Sequence, residues 1–344
     1  MRIATYNVEW FTTLFEEDDR LAIDRNWSGR QGVRRVDQIA ALGVVFRTLD
    51  ADAVLVVEAP DTAHRRQTVR ALESFAEHFG LRARRAITGF PNGTQQELAL
   101  LYDPDVMSVR HDPRGGGAGV LGEGPAPMFD RSLKVDLDGD GMAIPVTFSK
   151  PPLELAVTLG GRQVRLIGVH VKSKAPIGAK DAADLRRRAL ENRRKQLAQC
   201  FWLRARVVED LAAGDDLIVL GDFNDGPGLD DDEEIFGRSG VEIVMGESGP
   251  QHLYDPHARI ALAQRMGAVP ATARFLVPRL DGAGRHWLSA LLDYIMISVN
   301  LRSLSPVWRI WHPFDDPEIA DDPVLATALL TASDHFPVTL DLDL

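Results

Sequence analysis

Apolar residues along this chain collect into short runs rich in Val, Ile and Leu, each cut off by a polar residue. They are "RIATYNV" near Ile3, "AVLVVEA" carrying Glu58, "LALLYD", "VRLIGVHVK" carrying His170, "DLIVLGDF", "LLDYIMIS" and the C-terminal "FPVTLDLDL". Several are apolar on successive residues, the pattern of strands covered on both faces. Between them the apolar spacing turns helical. Residues 33–49 and 62–79 read as amphipathic helices, the second stopped by Gly80. The longest helical pattern covers 184–213 and ends at Gly214. Its apolar face carries Leu185, Ala189, Leu197, Cys200, Phe201, Val207 and Leu211, and Arg186 and Arg193 fall on the same face near its start. Those two arginines either snorkel or reach an anionic ligand beside the strand that carries His170.

The Gly/Pro-rich stretch at about 112–128, "RGGGAGVLGEGPAP" over 114–127, reads as a mobile loop. "DLDGDG" at 136–141 matches the first half of a calcium loop, but its twelfth position is Thr147 where a bidentate Glu is required. A hairpin turn between "SLKV" and "MAIPVTF" is the expectation there. No composition shift marks a boundary, so 1–344 is read as a single domain of alternating strands and helices.

Composition narrows the chemistry. The one cysteine, Cys200, excludes an internal disulfide framework and a cysteine-based zinc cluster, and sits where a buried small hydrophobe is expected. No apolar run approaches the roughly 20 residues that span a bilayer, and "MRIATYNVEW" has no signal-peptide core, so the expected location is cytoplasmic. The formal net charge of −11 argues against a non-specific coat on nucleic acid. It says less about an enzyme, because a bound divalent cation can dominate the field in an acidic pocket. No obligate protein partner is evident.

The polar residues that end the apolar runs are of a few kinds. Asn7 and Glu9 follow the first strand, Glu58 the second and His170 the fourth; Asp222 and Asn224 follow "LIVL", Asp293 opens "DYIMIS", and Asp334 and His335 precede the last strand. One Asp after a strand is an ordinary turn residue. A whole set of carboxylates, carboxamides and imidazoles beside buried strands is costly unless the groups meet partners. If the strand ends converge, the oxygen-rich set suits Mg²⁺, with Mn²⁺ as a substitute, far better than zinc.

"TYNVEW", "VVEAP", "GVHVKSK", "GDFND", "LDYIMIS" and "SDHFPV" occur in the order and approximate spacing of the endonuclease/exonuclease/phosphatase superfamily, which the chain resembles from Asn7 to His335. The resemblance implies a four-layer α/β sandwich, two packed, mainly antiparallel sheets flanked by helices, with the site where the strands of both sheets end. It implies Glu58 as principal metal ligand, with Asn7 and Asp334 completing the shell directly or through water, and Glu9 as a further acidic residue near the metal. It implies His335, oriented by Asp293, as general base or as the group that polarises the scissile phosphate. Asp222 would position or deprotonate the attacking water, and Asn224 and His170 would bind non-bridging phosphate oxygens. Lys172, Arg186 and Arg193 are the candidate substrate contacts.

The chain also departs from relatives: Val57 stands where many carry Gln before the metal-binding Glu, and Leu292 where repair-type members show Arg. The phosphate contact that relatives take from an aromatic or Arg in mid-chain is not assigned. The expected activity is metal-dependent phosphodiester hydrolysis, with nucleic acid as the substrate of an endonuclease. The alternative is a phosphatase or phosphodiesterase of a small or lipid-linked phosphate, and a third reading is a non-catalytic binding protein on the same scaffold.

Overall fold

Side-chain alternation along the central strands decides the architecture. In β1 (Arg2–Asn7), Ile3 points to one side and Ala4 and Tyr6 to the other, and all three are buried. β2 (Ala53–Ala59) does the same, with Leu55 and Val57 on one face and Val54 and Val56 on the other. A strand buried on both faces needs a layer on each, and the chain supplies four layers. The computed structural model describes residues 1–137, 141–176, 178–228, 236–263, 270–278 and 284–344.

The remaining strands are β3 (Arg85–Thr88), β4 (Glu97–Tyr102), β5 (Met107–His111), β6 (Gly119–Val120), β7 (Leu133–Val135), β8 (Ile144–Val146), β9 (Leu153–Leu159) and β10 (Arg162–His170). They continue with β11 (Leu217–Asp222), β12 (Leu253–Tyr254), β13 (Ala273–Pro278), β14 (Arg285–Ala290), β15 (Asp293–Ser298), β16 (Val307–Ile310) and β17 (Val338–Asp341). One six-stranded sheet has the order β16-β17-β1-β2-β4-β3 and the other β12-β15-β11-β10-β9-β5. The pairs β1–β2 and β10–β11 are parallel, and every other pair in the two sheets is antiparallel. Leu55, Val57 and Leu100 of the first sheet meet Leu155, Leu166, Leu220 and Ile295 of the second in the inter-sheet core. The fold is the four-layer α/β sandwich that the resemblance implies.

Helices cover the outer faces. α1 (Arg35–Leu49), α2 (Thr68–Phe79) and a late helix, Pro323–Ala332, pack on the first sheet around Phe46, Phe75 and Leu329. α3 (Ala182–Ala212) covers the second sheet with Leu197, Trp202 and Val207, and starts at Asp181, whose carboxylate accepts the Asp184 N–H at 2.8 Å. α2 begins later than its apolar pattern suggests. Arg66 is held on Asp61, Ala63 bridges to Arg66, and the turn they form occupies the first residues of the expected helix. No described helix is long and apolar enough to cross a membrane.

The 112–128 loop is pinned rather than free. Arg206 donates to the Ala126 and Pro127 carbonyls at 3.0 Å, Trp202 Nε1 donates to Pro127 at 3.2 Å, and Arg114 pairs with Asp210 at 2.6 Å. Glycines there give turns, but carbonyls satisfied by buried donors hold the loop on α3. β7 and β8 pair antiparallel, Leu133 facing Val146, so the expected hairpin is present. Residues 138–140 of the calcium-like stretch lie outside the described residues.

Candidate active site

Strand register assembles the site. Across three adjacent strands of the second sheet, His170 pairs with Asp222 and Asp222 with Asp293, so the three residues stand in one row at the sheet's end. β11 can approach β10 this closely because residue 221 is glycine. Its φ is +134°, and a Cβ added there would lie 2.1 Å from the Val169 carbonyl oxygen. The first sheet contributes Asn7 at the end of β1 and Glu58 at a bulge in β2 between Val57 and Ala59. Asp334 and His335 arrive on the turn before β17.

Backbone conformation is costly here. Glu9, Trp10, Glu58 and Asn224 all hold positive φ, between 46° and 60°, where non-glycine residues are uncommon and concentrate at functional sites. The surrounding hydrogen bonds fix them. Glu58 Oε2 accepts the Trp10 N–H at 2.9 Å, which supplies the support that Val57 cannot. Asn7 Oδ1 accepts the Glu9 N–H at 3.1 Å, while its Nδ2 donates to Asp222 Oδ2 at 3.1 Å and so ties the two sheets together. Glu9 Oε2 accepts the Asp334 N–H at 3.1 Å and pairs with Arg30. Asn224 donates its backbone N–H to Asp222 Oδ1 at 2.7 Å and its Nδ2 to the Val171 carbonyl at 3.1 Å.

The electrostatics shift the ionisable groups in different directions. Burial pushes the Asp222 carboxyl up to about 7, helped by Asp293 and opposed by His335. Burial also lifts Glu9 to about 7, with Asp334 adding like-charge repulsion. Burial alone would lower His335, but Asp293, whose Oδ2 lies 2.8 Å from His335 Nδ1, outweighs it and holds the imidazole well above its ordinary value. Asp293 Oδ2 is fixed in turn by the Thr272 hydroxyl at 2.8 Å, and its Oδ1 is buried with no hydrogen-bond partner. His170 is pushed well below its ordinary value by burial and by the Lys150 charge. Its Nε2 lies 3.7 Å from Asp222 Oδ2, and Lys150 Nζ lies 3.2 Å from both ring nitrogens. One donor atom each of Asp222, Asp293 and His335 falls within 4.8 Å of the others, near enough to share a cation.

Of the sequence-predicted residues, Asn7 bonds Glu9 and Asp222, Asp222 bonds Asn224, and Glu9 bonds Asp334, which links them across both sheets. His335 bonds Asp293, His170 lies 3.7 Å from Asp222, and Glu58 is held next to the cluster by the Trp10 N–H. Lys172 stands half-buried at its border, its N–H on Gln199. Arg186 is solvent-exposed on α3. Arg193 faces inward: it is buried, with Nη1 on Asp225 Oδ2 at 2.7 Å and on Gln196 at 2.7 Å. Asp225 also receives Lys174 at 2.7 Å and the Gly240 N–H at 2.6 Å, so this arginine braces the "GDFND" turn from behind. Lys150 is the functional candidate that the sequence reading missed. It precedes two prolines in "FSKPPL", and only its place beside His170 sets it apart from a surface lysine.

A comparison with curated proteins finds no match. Among solved structures the chain is similar to truncated TDP2 from Caenorhabditis elegans, at 15% identity and TM-score 0.51, covering 98% of this chain and 96% of that one. It is also similar to an AP endonuclease from Archaeoglobus fulgidus, at 12% identity and TM-score 0.51, covering all of both chains. At such identities the likeness is one of fold. The Endonuclease/Exonuclease/phosphatase family matches residues 4–335, which takes in every residue of the cluster from Asn7 to His335. The chain belongs to the Endonuclease/Exonuclease/phosphatase family.

Proposed function

We propose that this phosphoesterase is a Mg²⁺-dependent phosphodiesterase that cuts nucleic acid internally. The observation that carries the reading is the row of His170, Asp222 and Asp293 with His335 and Lys150 around it. A carboxylate with a pKa near neutrality is set there among cationic and neutral donors. In-line hydrolysis of a phosphodiester needs an acceptor for the water proton and positive donors on the equatorial oxygens.

Asp222 supplies the acceptor, oriented by Asn7 and by the Asn224 N–H. His335 enters as imidazolium, because Asp293 stabilises the charged form, and so it polarises a phosphate oxygen rather than acting as the initial base. His170 enters neutral and, with the Asn224 carboxamide and the Lys150 ammonium, faces the remaining oxygens. Lys172 adds a cation at the border.

The residues fit a divalent metal. Glu58, Asn7 and Asp334 offer hard oxygen donors, and Glu9, lifted by burial and by Asp334, marks a crowd of carboxylates that a cation would relieve. When bound, Mg²⁺ or Mn²⁺ would stabilise charge developing on the phosphate and leaving oxygen. Glu58, Asn224 and Asp334 are only half-buried, which keeps the site open to a polymer at the sheet edge. The net charge of −11 favours the second reading, a small or lipid-linked phosphoester.

The test is a substrate panel with Mg²⁺: supercoiled DNA, single strands, RNA, inositol phosphates, sphingomyelin and nitrophenyl mono- and diesters. The expected result is internal cleavage of a nucleic-acid polymer that is lost with chelator and in His335→Ala. Hydrolysis of monoesters or inositol phosphates with no polymer touched would contradict it. A cytoplasmic location is part of the proposal.

A further inference from the structure

The ribbon formed by β13 and β14 hangs on the catalytic row. Thr272, immediately before it, bonds Asp293, and its carbonyl accepts the Phe336 N–H at 2.6 Å. Ala273 bridges to His335, and the Arg274 N–H donates to the Asp334 carbonyl at 2.7 Å. Cross-strand partners share a face and alternate residues change it. Ala273, Ala290 and Phe275 therefore lie on one face, where they pack with Leu292 in a small cluster. Arg274, Leu276, Trp287 and Ser289 lie on the other.

That second face is open. Trp287 is 57% exposed and Leu276 39%, and Phe314, from the segment after β16, stands beside them at 52%. Arg274 lies over both aromatic rings, its guanidinium carbon 5.2 Å from the Trp287 centroid and 4.8 Å from that of Phe314. Among the described residues no carboxylate pairs with Arg274, although acidic residues outnumber basic ones in the chain by 50 to 39. Exposed rings interleaved with an unpaired guanidinium, continuous with a phosphoester site, match the chemistry of unpaired nucleobases on a phosphate backbone. Flat π-faces stack on the rings while the cation meets the phosphate.

We propose that this ribbon face, with Phe314, is a stacking platform for unpaired nucleobases and that the polymer is taken as a single strand. The proposal rests on the nucleic-acid reading above and names its substrate class. A duplex keeps its base faces stacked on each other and cannot use the platform.

The test compares wild type with Trp287→Ala, Phe314→Ala and the double variant in Mg²⁺. The substrates are a fluorescein-labelled oligothymidylate, the same strand annealed to its complement, and bis(4-nitrophenyl) phosphate. KM for the single strand should rise about 10- to 100-fold in the double variant, the loss expected for removing base–aromatic stacking. Turnover of the small diester should be unchanged, and the duplex should be a poor substrate for every form. A double variant that cleaves the single strand as well as wild type overturns the platform while leaving the nuclease reading intact. Equal losses on the single strand and the small diester overturn it too, because the rings would then act only through the fold. A change in oligomeric state on gel filtration, with single-strand KM unaltered, would assign the face to a second copy of the chain. Wild type that hydrolyses the small diester and no polymer overturns both readings.

Discussion

Asp225, the last acidic residue of "GDFND", is fully buried and accepts bonds from Lys174, Arg193 and the Gly240 N–H. Removing it in Asp225→Ala strands Arg193, which is 1% exposed and already has Nε and Nη2 without partners, so that only Gln196 remains to receive it. Lys174 can turn toward solvent; Arg193 cannot. Leaving one member of a buried ion pair uncompensated costs about 3–5 kcal/mol. An unfolding entropy of about 2.1 cal/mol/K per residue makes roughly 0.7 kcal/mol/K for a chain this long, so Tm should fall by about 4–7 °C.

Arg193→Met should destabilise by less, since the Asp225 carboxylate keeps Lys174 and the Gly240 N–H. The pair of substitutions together should recover part of the loss, with a coupling of about 1–3 kcal/mol in a double-mutant cycle. Thermal and urea unfolding measure the stabilities, and kinetics on a soluble diester measure the site. The reasoning is refuted if Arg193→Met leaves Tm and urea midpoint unchanged while raising KM tenfold. Arg193 would then be a substrate contact and not a brace.

Two further outcomes follow from the electrostatics of the cluster. Lys150 is half-buried, and that loss of solvent lowers its pKa. Lys150→Met should therefore cut kcat/KM by about 10- to 150-fold, the worth of one charge-assisted hydrogen bond, with Tm unchanged or raised; unchanged kinetics would remove Lys150 from the site. Asp222 must be ionised to accept a proton, and its carboxyl sits at about 7. In the pH–rate profile of kcat/KM, activity should fall on the acid side of that value, about tenfold per pH unit. A bound cation moves this limb to lower pH, and Asp222→Asn should abolish it along with most of the rate. A profile that rises toward acid would contradict the assignment.

The strands that sequence patterns identified are the ones buried on both faces, since continuous Val, Ile and Leu is what two covering layers require. β9 escaped because Glu154 interrupts "LELAV". In the structure that carboxylate is buried between Arg206 at 3.3 Å and Arg165 at 3.8 Å, a pairing between distant segments that local pattern cannot reveal. The site residues were legible for a related reason: a polar residue at the end of an apolar strand stands out against its background. Lys150 and Arg193 show where that stops. Both are basic residues with no local signal of their role, and only tertiary contact separates the one beside His170 from the one behind Asp225. The loop at 112–128 looks mobile in sequence for the same reason, since the partners that order it, Trp202, Arg206 and Asp210, lie on a helix far along the chain.

Glu58, from the second strand, and Asp334, from the turn before the last, are proposed to serve one divalent cation. Mn²⁺ binding followed by electron paramagnetic resonance, in wild type, Glu58→Gln and Asp334→Asn, addresses it without reference to any substrate. Each substitution should weaken binding by more than about tenfold while thermal unfolding stays that of a folded protein. Mn²⁺ affinity left intact in both variants would contradict the claim.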